Sequence, residues 1–429
     1  MGEQGGEVST SVRDPGGKGG SLHPGLGGRK WLAAFGALLA ASFLGDLAVG
    51  PTRALLPVYA EAVLARSPGF TSMMLSAQLV FTAIAAFTGG ALVDALGNKR
   101  VLLLGSTGLP LLGLVFLIHS PAAVVLLWVY AGFATNLGGV GRQTYVMATV
   151  PPRFLATATA INFTVLNMGG AIGNLVAGTI VDGSGFGAMG TGAVAVALVA
   201  LVATAAFVPE VGTARARMGS RQAFSGYSEV LRRPGMALLT FMRLFATAYW
   251  AVATFLFPLL IYRVAGVASA AAYYSTVSLL FASACQLAAG WILDRLGCGR
   301  PTVVLTVLLG AIAMATSLFT DSLAGLYLCG VLGAGIAWGL ATSTPSLISE
   351  LTPRAEHGRA MGLTQIATSG GMLLGTLLAG WLVDSSAGLP FLAVGIANLA
   401  AVVLAVRLLG PLAARQQHPE TSPATSDLA

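Results

Sequence analysis

The sequence predicts an all-α polytopic membrane protein in which twelve transmembrane helices form two pseudo-symmetric six-helix bundles. Three observations predict this fold class: the composition, a succession of apolar segments and an internal repeat. Of the 429 residues, 55% are hydrophobic and 9% are charged, whereas soluble domains carry about 25% charged residues. This composition excludes an ordinary soluble enzyme. The net charge of +7 does not indicate nucleic-acid binding, because the Lys and Arg residues of membrane proteins collect in cytoplasmic loops.

Twelve apolar segments, most of them of membrane-spanning length, follow one another along the chain. They lie at roughly 31–59, 72–93, 101–118, 122–149, 155–181, 188–208, 236–262, 270–293, 302–320, 323–349, 359–383 and 389–408. We therefore predict five regions along the chain: a disordered cytoplasmic tail (1–29), an N-terminal six-helix bundle (30–208), a cytoplasmic central loop (209–235), a C-terminal six-helix bundle (236–409) and a disordered cytoplasmic tail (410–429).

The basic residues predict the orientation. Most of the 23 Lys and Arg residues lie in the N-terminal tail, the central loop and the other loops on that same side of the predicted membrane. Because such residues concentrate in cytoplasmic loops, both termini are predicted to be cytoplasmic in a multi-pass protein of the plasma or inner membrane.

The two halves of the chain repeat each other. Residues 90–97 correspond to 290–297, Pro57 to Pro258, and residues 169–182 to 371–384, at offsets of 200 to 202. A nearly constant offset at separate places indicates a duplicated six-helix unit, from which many secondary transporters are built.

A loop motif occurs in both copies and carries a family resemblance. Its residues are Gly90, Asp94, Gly97 and Arg100 in the first half and Gly290, Asp294, Gly297 and Arg300 in the second. The motif resembles the signature of the major facilitator superfamily, Gly-x-Leu-x-Asp-x-x-Gly-x-Lys/Arg, and departs from the family's usual basic residues at Ala95 and Asn98. The resemblance covers about residues 30–410. It implies a monomeric transporter without a cofactor, working by alternating access, in which these motifs form a cytoplasmic gate. The alternative is that the two aspartates only fix the loop geometry.

The first apolar segment contains two charged residues, Asp46 and Arg53. A charge at mid-membrane costs about 2.5–3.5 kcal/mol on insertion scales. The two residues lie seven positions apart and so share one helix face, about 10 Å apart. The repeat places uncharged Thr247 and Thr254 at the equivalent positions. This asymmetry favours a role in proton or substrate handling over a structural ion pair, and Asp46 is the best candidate for a proton carrier. Because nothing resembles an ATP-binding loop, the energy is expected to come from a gradient.

Other polar and aromatic residues complete the predicted cavity. Arg142 is able to neutralise Asp46, attract an anion or extend to the inner interface, and Arg243 is predicted to reach the cytoplasmic surface. Trp250 and Trp338 lie near mid-span and are predicted either to face a flat ligand or to pack between helices. The predicted proton-coupling and cavity residues are Asp46, Arg53, Arg142, Tyr145, Thr247, Trp250 and Trp338.

A frame of glycines is predicted to let helices approach closely. It comprises Gly169, Gly173 and Gly178 in the first half and Gly371, Gly375 and Gly380 in the second. The first copy resembles the antiporter signature Gly-x3-Gly-Pro-x2-Gly-Gly, with Asn174 and Ala177 as departures, and so tilts the interpretation slightly towards export.

These observations predict a transporter of a small molecule, in the lipid bilayer, with protons as the coupling ion. Export of hydrophobic or cationic compounds is the first expectation. Uptake of a small anionic metabolite, favoured by Arg53 and Arg142, is the alternative. A non-transporting sensor on the same fold is a further alternative, although the polar ends of the chain are short. An enzyme is not expected, since no catalytic cluster lies in the segments. The three cysteines and four histidines lack metal-ligand spacing.

Overall fold

The computed structural model describes residues 30–151, 154–211, 227–233, 235–353 and 356–417. Both predicted tails lie outside these ranges, apart from residues 410–417, and so does most of the predicted central loop. The helices are α1 (Lys30–Ala62), α2 (Pro68–Leu96), α3 (Asn98–Ser106), α4 (Gly108–Leu114), α5 (Pro121–Thr149), α6 (Leu155–Phe207), α7 (Tyr227–Arg232), α8 (Met236–Ala265), α9 (Ala268–Leu296), α10 (Gly299–Leu318), α11 (Leu323–Leu351), α12 (His357–Leu382) and α13 (Leu389–Gln417). The described ranges contain no strand, and the predicted all-α fold class is confirmed.

Each predicted apolar segment corresponds to a helix or to part of one. Ten described helical stretches are long and apolar enough to cross a membrane. One of them belongs to the 53-residue α6, which contains a break at Gly185 with φ +80° and so comprises two predicted segments. Only glycine adopts this conformation readily. The third segment consists of α3, α4 and a 3₁₀ turn at Val115–Leu117.

Two helices differ from the prediction. The 26-residue α12 is not among the ten apolar stretches, because its first turns carry the polar side chains of Arg359, Thr364 and Gln365. At 1.5 Å per residue it is still about 39 Å long, enough to span a bilayer. The last helix, α13, continues to Gln417, beyond the predicted end of the bundle at residue 409.

Glycines bring α1 and α6 into contact. A Cβ built on Gly169 would lie 2.5 Å from the carbonyl oxygen of Phe43, and one on Gly173 would lie 2.2 Å from that of Leu47. Only glycine fits such a close approach of two backbones. The numbering rises along both helices, so the first half of α6 runs parallel to α1.

The second half of the chain repeats this contact between α8 and α12. There, a Cβ on Gly371 would lie 2.2 Å from the Leu244 carbonyl oxygen, and one on Gly375 would lie 2.2 Å from that of Ala248. These partners follow Phe43 and Leu47 by 201 residues. The repeat in the sequence is therefore a repeat of helix packing, and the two bundles are pseudo-symmetric.

The third glycine of each frame packs against the other bundle. A Cβ on Gly178 would lie 2.8 Å from the Cα of Ser269 at the start of α9, and one on Gly380 would lie 2.3 Å from the Cβ of Ser72 at the start of α2. The six glycines thus hold the helices of each bundle together and join the bundles to each other.

The two ends of the molecule differ in charge. We call the end that carries Lys99, Arg100, Arg295 and Arg300 the basic face, and the opposite end the far face. At the far face, Arg263 donates to both carboxylate oxygens of Glu61, at 2.7 and 2.5 Å, which links α8 to α1. Asp182 accepts hydrogen bonds from the backbone N–H groups of Ala268 and Ser269 at 2.8 and 3.1 Å.

Further bonds between the bundles lie deeper in the molecule. Thr276 donates to the Ala171 carbonyl at 2.9 Å, and Asn167 donates to the Ser283 hydroxyl at 3.1 Å. The described hydrogen bonds between the bundles therefore run from the far face to the middle of α9 and of the first half of α6, before its break at Gly185.

Candidate transport site

A polar cleft opens within the N-terminal bundle between α1, α3, α5 and α6. Its empty volume, which includes space open to the solvent, is about 440 Å³. The side chains of Ser42, Ser106, Thr135 and Thr204 line it together with small residues and three leucines. Asp46 and Arg142, on α1 and α5, also line the cleft.

Closely packed glycines form the base of the cleft. A Cβ on Gly105 would lie 2.1 Å from the Cα of Gly138, so α3 and α5 touch backbone to backbone here. Glycines and small hydroxyl residues leave the space into which the longer charged side chains extend.

Asp46 and Arg142 form a loose ion pair. The Arg142 Nη1 lies 3.9 Å from the Asp46 Oδ2, and the two side chains are 26% and 29% exposed. This distance exceeds that of a hydrogen bond. The Arg142 Nε is buried without a hydrogen-bond partner among the described residues. The charges therefore neutralise each other without locking the two side chains together, and of the three predicted fates of Arg142 the structure has the pair with Asp46.

Arg53 lies two helical turns beyond Asp46 on α1, about 10 Å along the helix axis. Its side chain is exposed, and in the described part of the chain no carboxylate lies within 4 Å of it. The structure therefore brings Asp46 and Arg142 together and leaves Arg53 apart from them.

Two other predicted cavity residues face the interior of a bundle. Tyr145 is fully buried, and its hydroxyl donates to the Pro209 carbonyl at 3.0 Å. The Thr247 hydroxyl donates to the carbonyls of Arg243 and Leu244, at 2.8 and 3.1 Å, within its own helix. Both hydroxyl groups donate their hydrogen to protein carbonyls, so only the acceptor capacity of each oxygen is left for another partner.

Trp250 and Trp338 meet between α8 and α11. Their ring centroids lie 5.9 Å apart with the planes perpendicular, the edge-to-face geometry that aromatic pairs favour. Both side chains are half-buried. The Trp338 Nε1 is buried without a hydrogen-bond partner in the described structure. The pair presents an aromatic surface with a free indole N–H.

Arg243 does not extend to the membrane surface as expected. Its Nη2 lies 3.4 Å from the Thr368 hydroxyl on α12, and its Nε is buried without a partner among the described residues. Arg243 shares a helix face with Thr247 and Trp250, and the repeat aligns it with the cleft residue Ser42. Those two signals were available in the sequence.

The sequence of this chain matches a known protein family. The family model of the Major Facilitator Superfamily matches residues 31–347 and 339–427. The chain belongs to the major facilitator superfamily.

Relatives and solved structures of this superfamily include several transporters. The gallate transporter of Pseudomonas putida is 25% identical over 356 residues, which are 74% of this chain and 78% of that protein. A POT family transporter, solved with a thioalcohol-conjugated peptide, matches with a TM-score of 0.72 at 14% identity over 88% of this chain and 95% of that one. The nucleoside transporter NupG matches with a TM-score of 0.70 at 16% identity over 88% and 98%. The chain is thus a multi-pass membrane transporter of small molecules and not an enzyme.

The superfamily loop motif forms the sharp connections at the basic face. Gly97 has φ +91° and Gly297 has φ +75°, which lets α2 pass directly into α3 and α9 into α10. Arg100 and Arg300 are exposed. At Gly290 an added Cβ would meet no atom within 4 Å.

The remaining motif residues are only partly visible. The side chains of Asp94 and Asp294, and the surroundings of Gly90, lie outside the described residues. At the basic position of the first motif, the Lys99 ammonium donates to the Ala205 carbonyl at the end of α6, 2.9 Å away. This bond, which the sequence analysis missed, fixes the start of α3 to the last turn of α6.

Proposed function

We propose that this transporter takes up a small organic anion together with protons. The observation that carries the proposal is the loose Asp46–Arg142 pair at the wall of a polar cleft. With Asp46 ionised, the pair is neutral. Protonation of Asp46 leaves the charge of Arg142 unbalanced, and the cavity then attracts an anion. The proton and the anion therefore favour each other's binding, as symport requires.

The size of this coupling follows from the distance between the charges. Two unit charges about 4 Å apart interact by about 4 kcal/mol at an effective dielectric constant of 20. Couplings between sites in proteins are typically 1–3 kcal/mol. Even a fraction of the pair energy is therefore enough to link the two binding events.

The charges inside the membrane helices also favour an anion. More than one helical turn inside the twelve predicted apolar segments, the charged residues are three arginines and one carboxylate: Arg53, Arg142, Arg243 and Asp46. An excess of positive charge in a low-dielectric cavity attracts anions and repels cations. The relative from Pseudomonas putida is a gallate transporter, and gallate is a small carboxylate.

This excess of positive charge leads us to favour uptake over the export that the glycine frame indicated. The frame occurs in both halves and makes the same helix contacts in each. Its packing role accounts for it without any reference to the direction of transport.

We further propose that the basic face is cytoplasmic and that the protein lies in the plasma membrane. Lys and Arg concentrate on the cytoplasmic side of membrane proteins. In that orientation the ion pair and the hydrogen bonds of the far face lie on the outer side of the membrane.

The proposal is tested with purified protein in liposomes. A pH gradient, alkaline inside, is expected to drive accumulation of radiolabelled gallate, and a protonophore is expected to abolish it. Asp46→Asn mimics the protonated state and is expected to lose accumulation but keep gallate exchange across the membrane. Asp321→Asn, an exposed loop position, is the matched control. The proposal would be refuted if gallate or benzoate accumulated to the same extent with and without the pH gradient, or if the Asp46→Asn variant accumulated gallate as the wild type does.

A further inference from the structure

Arg243 is a half-buried cation without a described acidic partner. The three ion pairs of the described structure involve Arg142, Arg233 and Arg263, and no carboxylate of that structure lies within 4 Å of Arg243. Charged side chains inside a membrane are costly and mark ligand or ion pathways unless another charge neutralises them. A positive charge kept in place at this cost calls for an anion, and the described residues do not supply one.

Thr368 orients this charge but does not neutralise it. The Thr368 hydroxyl donates its hydrogen to the Thr364 carbonyl at 2.9 Å, so its oxygen is left to accept from the Arg243 Nη2 at 3.4 Å. The contact is at the long end of hydrogen-bond distances. It holds the guanidinium at α12 and leaves other donors of the group free, and one of them, Nε, is buried without a described partner.

The tryptophan pair lies two helical turns further along the same face of α8. Trp250 follows Arg243 by seven residues, which is about 10 Å along the helix axis. It packs edge-to-face on Trp338 of α11, whose buried indole N–H has no described partner. The guanidinium and the aromatic pair therefore lie on one face of α8, separated by about the length of a benzoate-sized anion and its contacts.

We propose that Arg243 binds the carboxylate of the substrate, while Trp250 and Trp338 contact its flat body. The ligand class is a small aromatic or similarly flat carboxylate. This inference rests on the proposed function and deepens it. Arg243 in the C-terminal bundle contacts the anion directly, while the net charge of the Asp46–Arg142 pair in the N-terminal bundle sets how strongly the cavity attracts it.

The test is ligand-induced thermal stabilisation of the full-length protein in detergent. Benzoate and gallate are expected to raise the melting temperature, and neutral benzamide is not. In Arg243→Gln the apparent affinity for benzoate is expected to fall about tenfold or more, as for the loss of a charge-assisted hydrogen bond. Arg407→Gln, which changes an exposed arginine on α13, is the matched control and is expected to retain benzoate binding.

Two results would overturn the site. One is a wild-type protein that benzoate stabilises no more than benzamide does. The other is benzoate stabilisation that persists unchanged in Arg243→Gln. If that variant does not fold, Arg243→Met, which replaces the unpaired charge by an apolar chain of similar length, is measured in the same way.

Binding and transport separate this inference from the proposed function. Benzoate binding that depends on Arg243, without uptake driven by a pH gradient, would leave the site in place and refute proton-coupled uptake. Uptake driven by the gradient, with wild-type affinity in Arg243→Gln, would leave the transport proposal in place and refute the site.

Discussion

The Glu61–Arg263 pair is expected to hold the far face closed. It joins the ends of α1 and α8 through two parallel hydrogen bonds, the strongest geometry of an arginine–carboxylate pair. The side chains are 28% and 36% exposed, so water weakens the interaction, and we assign it about 1 kcal/mol. Glu61→Gln is therefore expected to increase the population with an open far face about fivefold.

The assay is double electron–electron resonance between spin labels at Val63→Cys and Val267→Cys. Both positions are exposed, at 37% and 44%, and each follows one partner of the ion pair. The half-buried Cys285 is first replaced by alanine, whereas Cys298 and Cys329 are buried.

The distance distribution supplies both the result and its control. Glu61→Gln is expected to add a longer-distance population, and the exchanged pair Glu61→Arg with Arg263→Glu is expected to remove it. A distribution that Glu61→Gln leaves unchanged would show that the ion pair does not hold the bundles together.

Three further predictions concern stability and are checked by the thermal unfolding of purified variants. Gly375→Ala is expected to destabilise the protein by about 1–3 kcal/mol through overpacking, because its Cβ would meet the Ala248 carbonyl. The control Gly290→Ala places its Cβ in open space and is not expected to destabilise, so equal losses of stability in the two variants would contradict the packing argument. Gly97→Ala forces a Cβ into a conformation with φ +91° and is expected to cost about 1–3 kcal/mol, so a melting temperature like that of the wild type would argue against strain. Arg243→Met removes an unpaired charge and is expected to stabilise the ligand-free protein, by up to about 2.5–3.5 kcal/mol, and a lower melting temperature would mean that Arg243 has a structural partner.

The helices could be predicted from the sequence because each membrane-spanning helix is a long run of mostly apolar residues. Most predicted ends fall within a few residues of the observed ones, and Gly185 breaks α6 between two predicted segments. The packing of the repeat was equally accessible, since glycines at a fixed offset must meet equivalent partners in both halves.

The positions of individual polar side chains could not be derived in this way. Helical periodicity gives the face on which a residue lies but not the helix that covers that face. Tyr145 was predicted to line the cavity, yet its hydroxyl is bonded to Pro209, 64 positions along the chain. Arg243 was expected at the surface, yet it meets Thr368, 125 positions away. Charge alone did not decide between the three possible fates of Arg142.

The reciprocal seating of Gly178 on α9 and of Gly380 on α2 bears on the origin of the chain. Each bundle offers a glycine socket and, at the start of its second helix, the part that fills the socket of the other. A single ancestral six-helix unit with both features would have paired with a copy of itself about a twofold axis, as isologous dimers do. After fusion of two such copies, the sequences of the two halves could diverge. Asp46 in one half and Arg243 in the other, each without a charged counterpart in the repeat, are examples of such divergence.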